Sequence, residues 1–157
     1  MPVNKSHIVD AAIVAALLLV AAGGYYFSPL LLPKADVTAA ADPGCSLHER
    51  ACGAAVPGGG RIELSMAPRP IPNVQPLTAE VTLAGLTANK VVLDLAGAKM
   101  NMGVNRVELA PVAPGRFAGT SSLPVCVTGS MDWIATVMVE TGTQRISVPF
   151  RFTSSPH

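Results

Sequence analysis

The side chains of this chain best suited to chemistry are its sulfurs. Met100 and Met102 flank Asn101 in the stretch GAKMNMGVN. In an extended backbone, residues two apart project to the same side, so both thioethers can face one site. A thioether is a soft donor, suited to Cu(I) and poorly suited to Mg²⁺ or Ca²⁺. Methionines also fill gaps in cores, but Lys99, Asn101 and Gly103 around this pair suit a solvent-facing loop better. Cys126, in LPVCVTGSMDW, would add a thiolate and complete a Met-Met-Cys site for Cu(I). The competing reading for Cys126 is a buried, inert thiol. Met131 is a candidate fourth donor, although its place at the head of an apolar strand suits packing equally well.

The other two cysteines, Cys45 and Cys52, stand seven positions apart on either side of His48. A disulfide closing so short a loop contributes about 2.5 kcal/mol in the chain-entropy model. The sharper alternative is a second copper site or a thiol-exchange pair with His48 between the sulfurs. The spacing matches neither the Cys-x-x-Cys of redox carriers nor a zinc knuckle.

Eleven Lys and Arg against ten Asp and Glu give a formal charge of +1. That balance removes the driving force for phosphate-backbone binding, so no nucleic-acid partner is expected. His48 and His157 are the only histidines beyond the N-terminal segment, and no HExxH or Gly-x-Ser-x-Gly motif occurs. No glycine pattern follows a strand and opens a helix. An enzyme is therefore not expected.

The chain around these sulfurs divides into three segments. Residues 1–33 hold AAIVAALLLVAAGGYYF, uncharged from Ala11 to Phe27 and extended by Leu30, Leu31 and Leu32. At about 1.5 Å per residue the run can cross a hydrocarbon core of roughly 30 Å. It reads as a transmembrane anchor with Tyr25 and Tyr26 in the interface. A signal peptide is the alternative, because TAAA at 38–41 offers small residues before Asp42. Residues 34–44 read as a polar, Ala-rich tether, and 45–157 as one exported domain.

That domain repeats a period of two. Ile62, Leu64 and Met66 alternate with Glu63 and Ser65, then prolines at 68, 70, 72 and 76 enforce an extended connection. Further strands are expected over 77–83, 90–95, 106–112, 116–123, 131–140 and 144–152, with turn residues between them. About seven short strands with no helical stripe predict an all-β fold, an immunoglobulin-like antiparallel sandwich.

Three short motifs carry a resemblance. Met100-x-Met102-Gly103, Gly115-Arg116-Phe117-x-Gly119 and Gly129-x-Met131-x-Trp133 resemble the YtkA-like and FixH-like family over roughly the C-terminal two-thirds of the exported part. That family comprises membrane-anchored bacterial proteins with an immunoglobulin-like extracytoplasmic domain, linked to copper handling and cytochrome oxidase assembly. The resemblance implies a single-pass inner-membrane protein with its domain in the periplasm, binding a copper ion through Met100 and Met102. It implies a respiratory oxidase assembly factor as partner. The chain departs from the family at Leu123-Pro124-Val125-Cys126, where an aromatic and a methionine are commoner, and Cys126 stands as a substitute ligand.

The leading expectation is a copper buffer or metallochaperone. Two others stand beside it: an anchored interaction module without a metal, and a thiol-disulfide exchange protein.

Overall fold

The structure is a computed structural model that describes residues 5–31, 37–101, 103–124, 130–142 and 144–154. Contacts divide the chain into two units, Met1–Lys34 and Ala35–His157. The first unit contains one helix, α1 (Lys5–Leu31). Ala, Leu and Val dominate it on every side, and its window Val9–Tyr26 is long and apolar enough to cross a membrane. Leu17, Leu18, Leu19 and Val20 are all uncovered by protein.

The second unit is all-β. Nine strands are found among the described residues: β1 (Val37–Thr38), β2 (Cys52–Ala55), β3 (Arg61–Ala67), β4 (Pro76–Ala84), β5 (Lys90–Gly97), β6 (Arg106–Ala113), β7 (Arg116–Ser122), β8 (Met131–Glu140) and β9 (Arg145–Ser154). They form a continuous sheet in the order β1-β9-β8-β5-β6-β7-β4-β3-β2. All pairs are antiparallel except β1 with β9, which run parallel. β6 makes the sheet curl. Its first half pairs with β5 and its second half with β7, and the register slips between Pro111 and Ala113. A bulge at that point bends the strand and increases the local twist.

Strict alternation builds the core. β8 turns Met131, Trp133, Ala135, Val137 and Val139 inward and the residues between them outward. β9 does the same with Ile146, Val148, Phe150 and Phe152, which lie opposite Val139, Val137, Ala135 and Trp133. Ile62, Leu64 and Met66 of β3, and Leu77, Ala79 and Val81 of β4, add to the same buried cluster. Each large side chain so buried contributes roughly 1.5–3 kcal/mol of transfer free energy. Trp133 needs one polar partner in this interior, and its Nε1 donates to Ser154 Oγ at 3.2 Å.

All seven strands read from the period-two pattern are present. The count of nine comes from two segments that carry no such pattern. Residues 37–42, within the stretch read as a tether, run along the domain instead. β1 pairs Val37 with Ile146, Ala39 donates to the Ser147 carbonyl, and Asp42 donates to the Gly53 carbonyl. Ala39 is 3% exposed. β2 is the edge strand in the glycine- and cysteine-rich stretch, three of its four residues buried. The Arg61 guanidinium lies over Gly53 to pair with Asp42, and a Cβ at 53 would make that flexible side chain move aside.

Candidate functional site

The methionine loop is residues 98–105, between β5 and β6. Ala98 is held by the Asp132 carbonyl, to which its N–H donates at 2.8 Å. Lys99 pairs with Asp132 at 3.0 Å. Asn101 Oδ1 accepts from the Gly103 N–H at 2.9 Å, an Asx-type contact. At the far end, Asn105 Nδ2 donates to the Ser122 carbonyl at 2.8 Å and its Oδ1 accepts from Ser121 Oγ at 3.1 Å. The loop walls an open depression of about 400 Å³, lined by Ala96–Asn101 and Gly103. Met100 stands in it, 49% exposed.

Residues 123–130, with Cys126 among them, connect β7 to β8 in sequence. The methionine loop is tied to the strand ends on either side of that segment: Ala98 and Lys99 to Asp132 of β8, Asn105 to Ser121 and Ser122 of β7. Met102 and Cys126 themselves lie outside the described residues, as does Gly129. Met131 is described and is part of the core, 9% exposed, with its N–H donating to Ser154 Oγ at 3.3 Å. Packing beside Trp133 accounts for it. Its sulfur is not in the open depression.

Asp132 is the electrostatic anchor of this end of the sheet. A hydrogen bond from Lys99 and another from Thr153 Oγ1 hold its carboxyl below the ordinary carboxylate range. On the outer face of β5 and β6, a hydrogen bond to Glu108 raises the Lys90 ammonium above its usual value. Both groups are solvated, so these are orienting contacts rather than large contributions to stability.

Cys45 and Cys52 form a disulfide. Cys52 is 2% exposed, and Leu47 in the intervening loop is 1% exposed. His48 is committed on both ring nitrogens. Nδ1 accepts from the Ile71 N–H at 3.1 Å, and Nε2 hydrogen-bonds to the Thr153 carbonyl, which can only accept. The ring is thus the neutral Nε2–H tautomer, tying the disulfide loop to Ile71 and β9. A histidine so engaged has no nitrogen left for a metal or a thiol. Sequence reasoning missed this role; no spacing rule pairs His48 with Ile71 or Thr153.

Among the described residues, no group of three or more His, Cys, Asp or Glu side chains is gathered so as to hold a metal ion. Of the described methionines, Met100 is the exposed one.

The class these features define is an all-β domain behind an N-terminal apolar helix. No protein-family model matches the chain, and no curated protein matches it. Among solved structures, a DUF4785 family protein from Legionella pneumophila subsp. pneumophila str. Philadelphia 1 is similar at 19% identity and a TM-score of 0.44. The similarity covers 61% of this chain and 28% of that one, so the chain spans little more than a quarter of that protein's length. A likeness this distant carries nothing about function.

Proposed function

We propose that this protein is a membrane-anchored periplasmic Cu(I)-binding protein that buffers copper or hands it to a partner such as a cytochrome oxidase assembly factor. The observation that supports the reading is the double tie of the methionine loop to the ends of β7 and β8, the two strands between which Cys126 lies in sequence, with Met100 exposed between the ties. Met100 and Met102 are the neutral, readily displaced donors and Cys126 the tight anionic anchor. Transfer proceeds by ligand exchange: an incoming sulfur binds the low-coordinate ion before a thioether leaves. An exposed thioether suits that step, because the incoming ligand needs room to approach.

The finer fold reading is an immunoglobulin-like sandwich with two added edge strands. The order β7-β4-β3 on one side and β6-β5-β8-β9 on the other supports it. Retention of α1 as an anchor is supported by β1. A cut after the TAAA stretch would strip away β1, with its Val37–Ile146 and Thr38–Ser147 pairings, and Ala39, which is buried at 3% exposure. Intact-mass measurement of protein extracted from membranes is expected to give the uncleaved chain; a mature form beginning at Asp42 overturns that part.

The copper reading is tested on the full chain in detergent, titrated with Cu(I) against a chromophoric chelator under a reductant mild enough to spare the Cys45–Cys52 bond. Replacing Met100 and Met102 by Leu together with Cys126→Ser is expected to weaken binding by at least about tenfold, or 1.4 kcal/mol. Unchanged affinity in that variant overturns the assignment.

A further inference from the structure

The described methionines are covered to very different degrees. Met66 of β3 is fully buried, and Met131 at the head of β8 is 9% exposed. Met138, on the outer face of β8, is half-buried and lies cross-strand from Val92 of β5 and Ser147 of β9. Met100 is 49% exposed on the wall of the depression described above. The copper reading uses its sulfur as a donor. The same lone pair is open to a second chemistry.

A thioether is oxidised by oxygen-atom transfer, and susceptibility follows access to the sulfur. With hydrogen peroxide, a sulfur lone pair attacks one oxygen, the O–O bond breaks and a proton passes to the departing oxygen. The products are a sulfoxide and water; sulfur loses two electrons and peroxide gains them. A methionine sulfoxide reductase reverses the change. Two of its thiols return the electrons, join as a disulfide and release the oxygen as water.

Two further observations favour position 100. The described ties of its loop run from Ala98, Lys99 and Asn105 to Asp132, Ser121 and Ser122, so an oxygen added to the Met100 sulfur leaves them standing. The same oxygen on Met66 or Met131 would put a polar atom into the core, at a cost in desolvation. The domain also carries the Cys45–Cys52 disulfide, a bond that persists where the surroundings are oxidising.

We propose that Met100 is a reversible oxidation site through which peroxide lowers the Cu(I) affinity of the methionine loop. The control of affinity rests on the copper reading, whereas the oxidation itself does not. A sulfoxide presents a hard oxygen in place of a soft sulfur donor, so Cu(I) loses a ligand. Because the site is open in the folded chain, oxidant and reductase both reach it without unfolding.

The test treats the full chain in detergent, free of copper and with its disulfide intact, with graded hydrogen peroxide. Tandem mass spectrometry reads each methionine; cleavage after Lys99 and Arg106 gives a peptide whose fragments separate positions 100 and 102. Met100 is expected to gain one oxygen at least about tenfold faster than Met66 and Met131. The Cu(I) affinity of the oxidised chain is expected to fall at least about threefold and to recover after reductase treatment, which repairs sulfoxides and not oxidised cysteine. In Met100→Leu that recoverable fall is expected to be lost. Oxidation of Met66 or Met131 as fast as Met100 overturns the proposal, as does an undiminished recoverable fall in Met100→Leu. Unchanged Cu(I) affinity in the variant lacking Met100, Met102 and Cys126 overturns the copper reading and the control of affinity with it. The oxidation rates, measured without copper, decide the modification site separately.

Discussion

In the disulfide loop, Cys52 is 2% exposed and bonded to Cys45, and both nitrogens of His48 are engaged. In the methionine loop, Met100 is 49% exposed at the mouth of a depression, and the contacts that hold the loop fall on residues around it rather than on its sulfur. Both loops fasten to one residue of β9. The Thr153 carbonyl accepts from His48, and its hydroxyl donates to Asp132 Oδ1 at 3.0 Å, the carboxylate that also takes Lys99. The same strand end thus holds a closed pair of sulfurs and one open thioether, that of Met100. A buried, bonded sulfur is explained by stability alone. A half-exposed thioether on a loop with fixed ends gains less from packing, and that is why the proposed copper binding falls on the second loop.

The comparison breaks most visibly at the disulfide. Cys45→Ser with Cys52→Ser is expected to cost about 2.5 kcal/mol in urea unfolding of the full chain in detergent. Cu(I) affinity should stay within about twofold of the parent; a larger fall would place those sulfurs in the metal site. His48→Phe comes next. It leaves the Ile71 N–H without its acceptor in a largely buried setting, and a loss of about 1–3 kcal/mol is expected in the same measurement.

Met100→Leu sharpens the contrast from the other side. The residue is exposed, so stability should move by no more than about 0.5 kcal/mol, while Cu(I) affinity falls measurably in the chelator titration. The smallest effect is electrostatic. The Asp132 carboxyl is depressed by Lys99 and Thr153, so its contribution is present above the ordinary carboxylate range and lost as pH falls through its folded value. Asp132→Asn should lower stability slightly at neutral pH, make no difference below the folded value of the carboxyl, and so flatten the acid-side slope of a stability-versus-pH curve.

Legibility in the sequence was uneven, for a physical reason. Trp133, Ala135, Val137 and Val139 announce their shared face because side chains alternate along any strand, whatever its partners. The Pro114-Gly115 turn is likewise local, with Gly115 at φ 70°. By contrast, β1 and β2 have too few residues and too small side chains to mark a period, and the free edges of β9 and β3 recruit them. Met131 shows the same limit at the site. Its proximity to Cys126 in sequence suggested a ligand, whereas its strand parity turns it inward beside Trp133.

From the sequence alone come the apolar helix, the seven principal strands, their buried faces and the soft-donor inventory. Each is a property of composition or of a period a few residues long. Only the folded chain decided that residues 37–42 run along β9 and reach β2, that Ser154 serves Trp133, that His48 is spent on two backbone groups, and that β6 passes from β5 to β7. Those are pairings between residues far apart in the chain, chosen by which edges and polar groups remain unsatisfied once the core has closed.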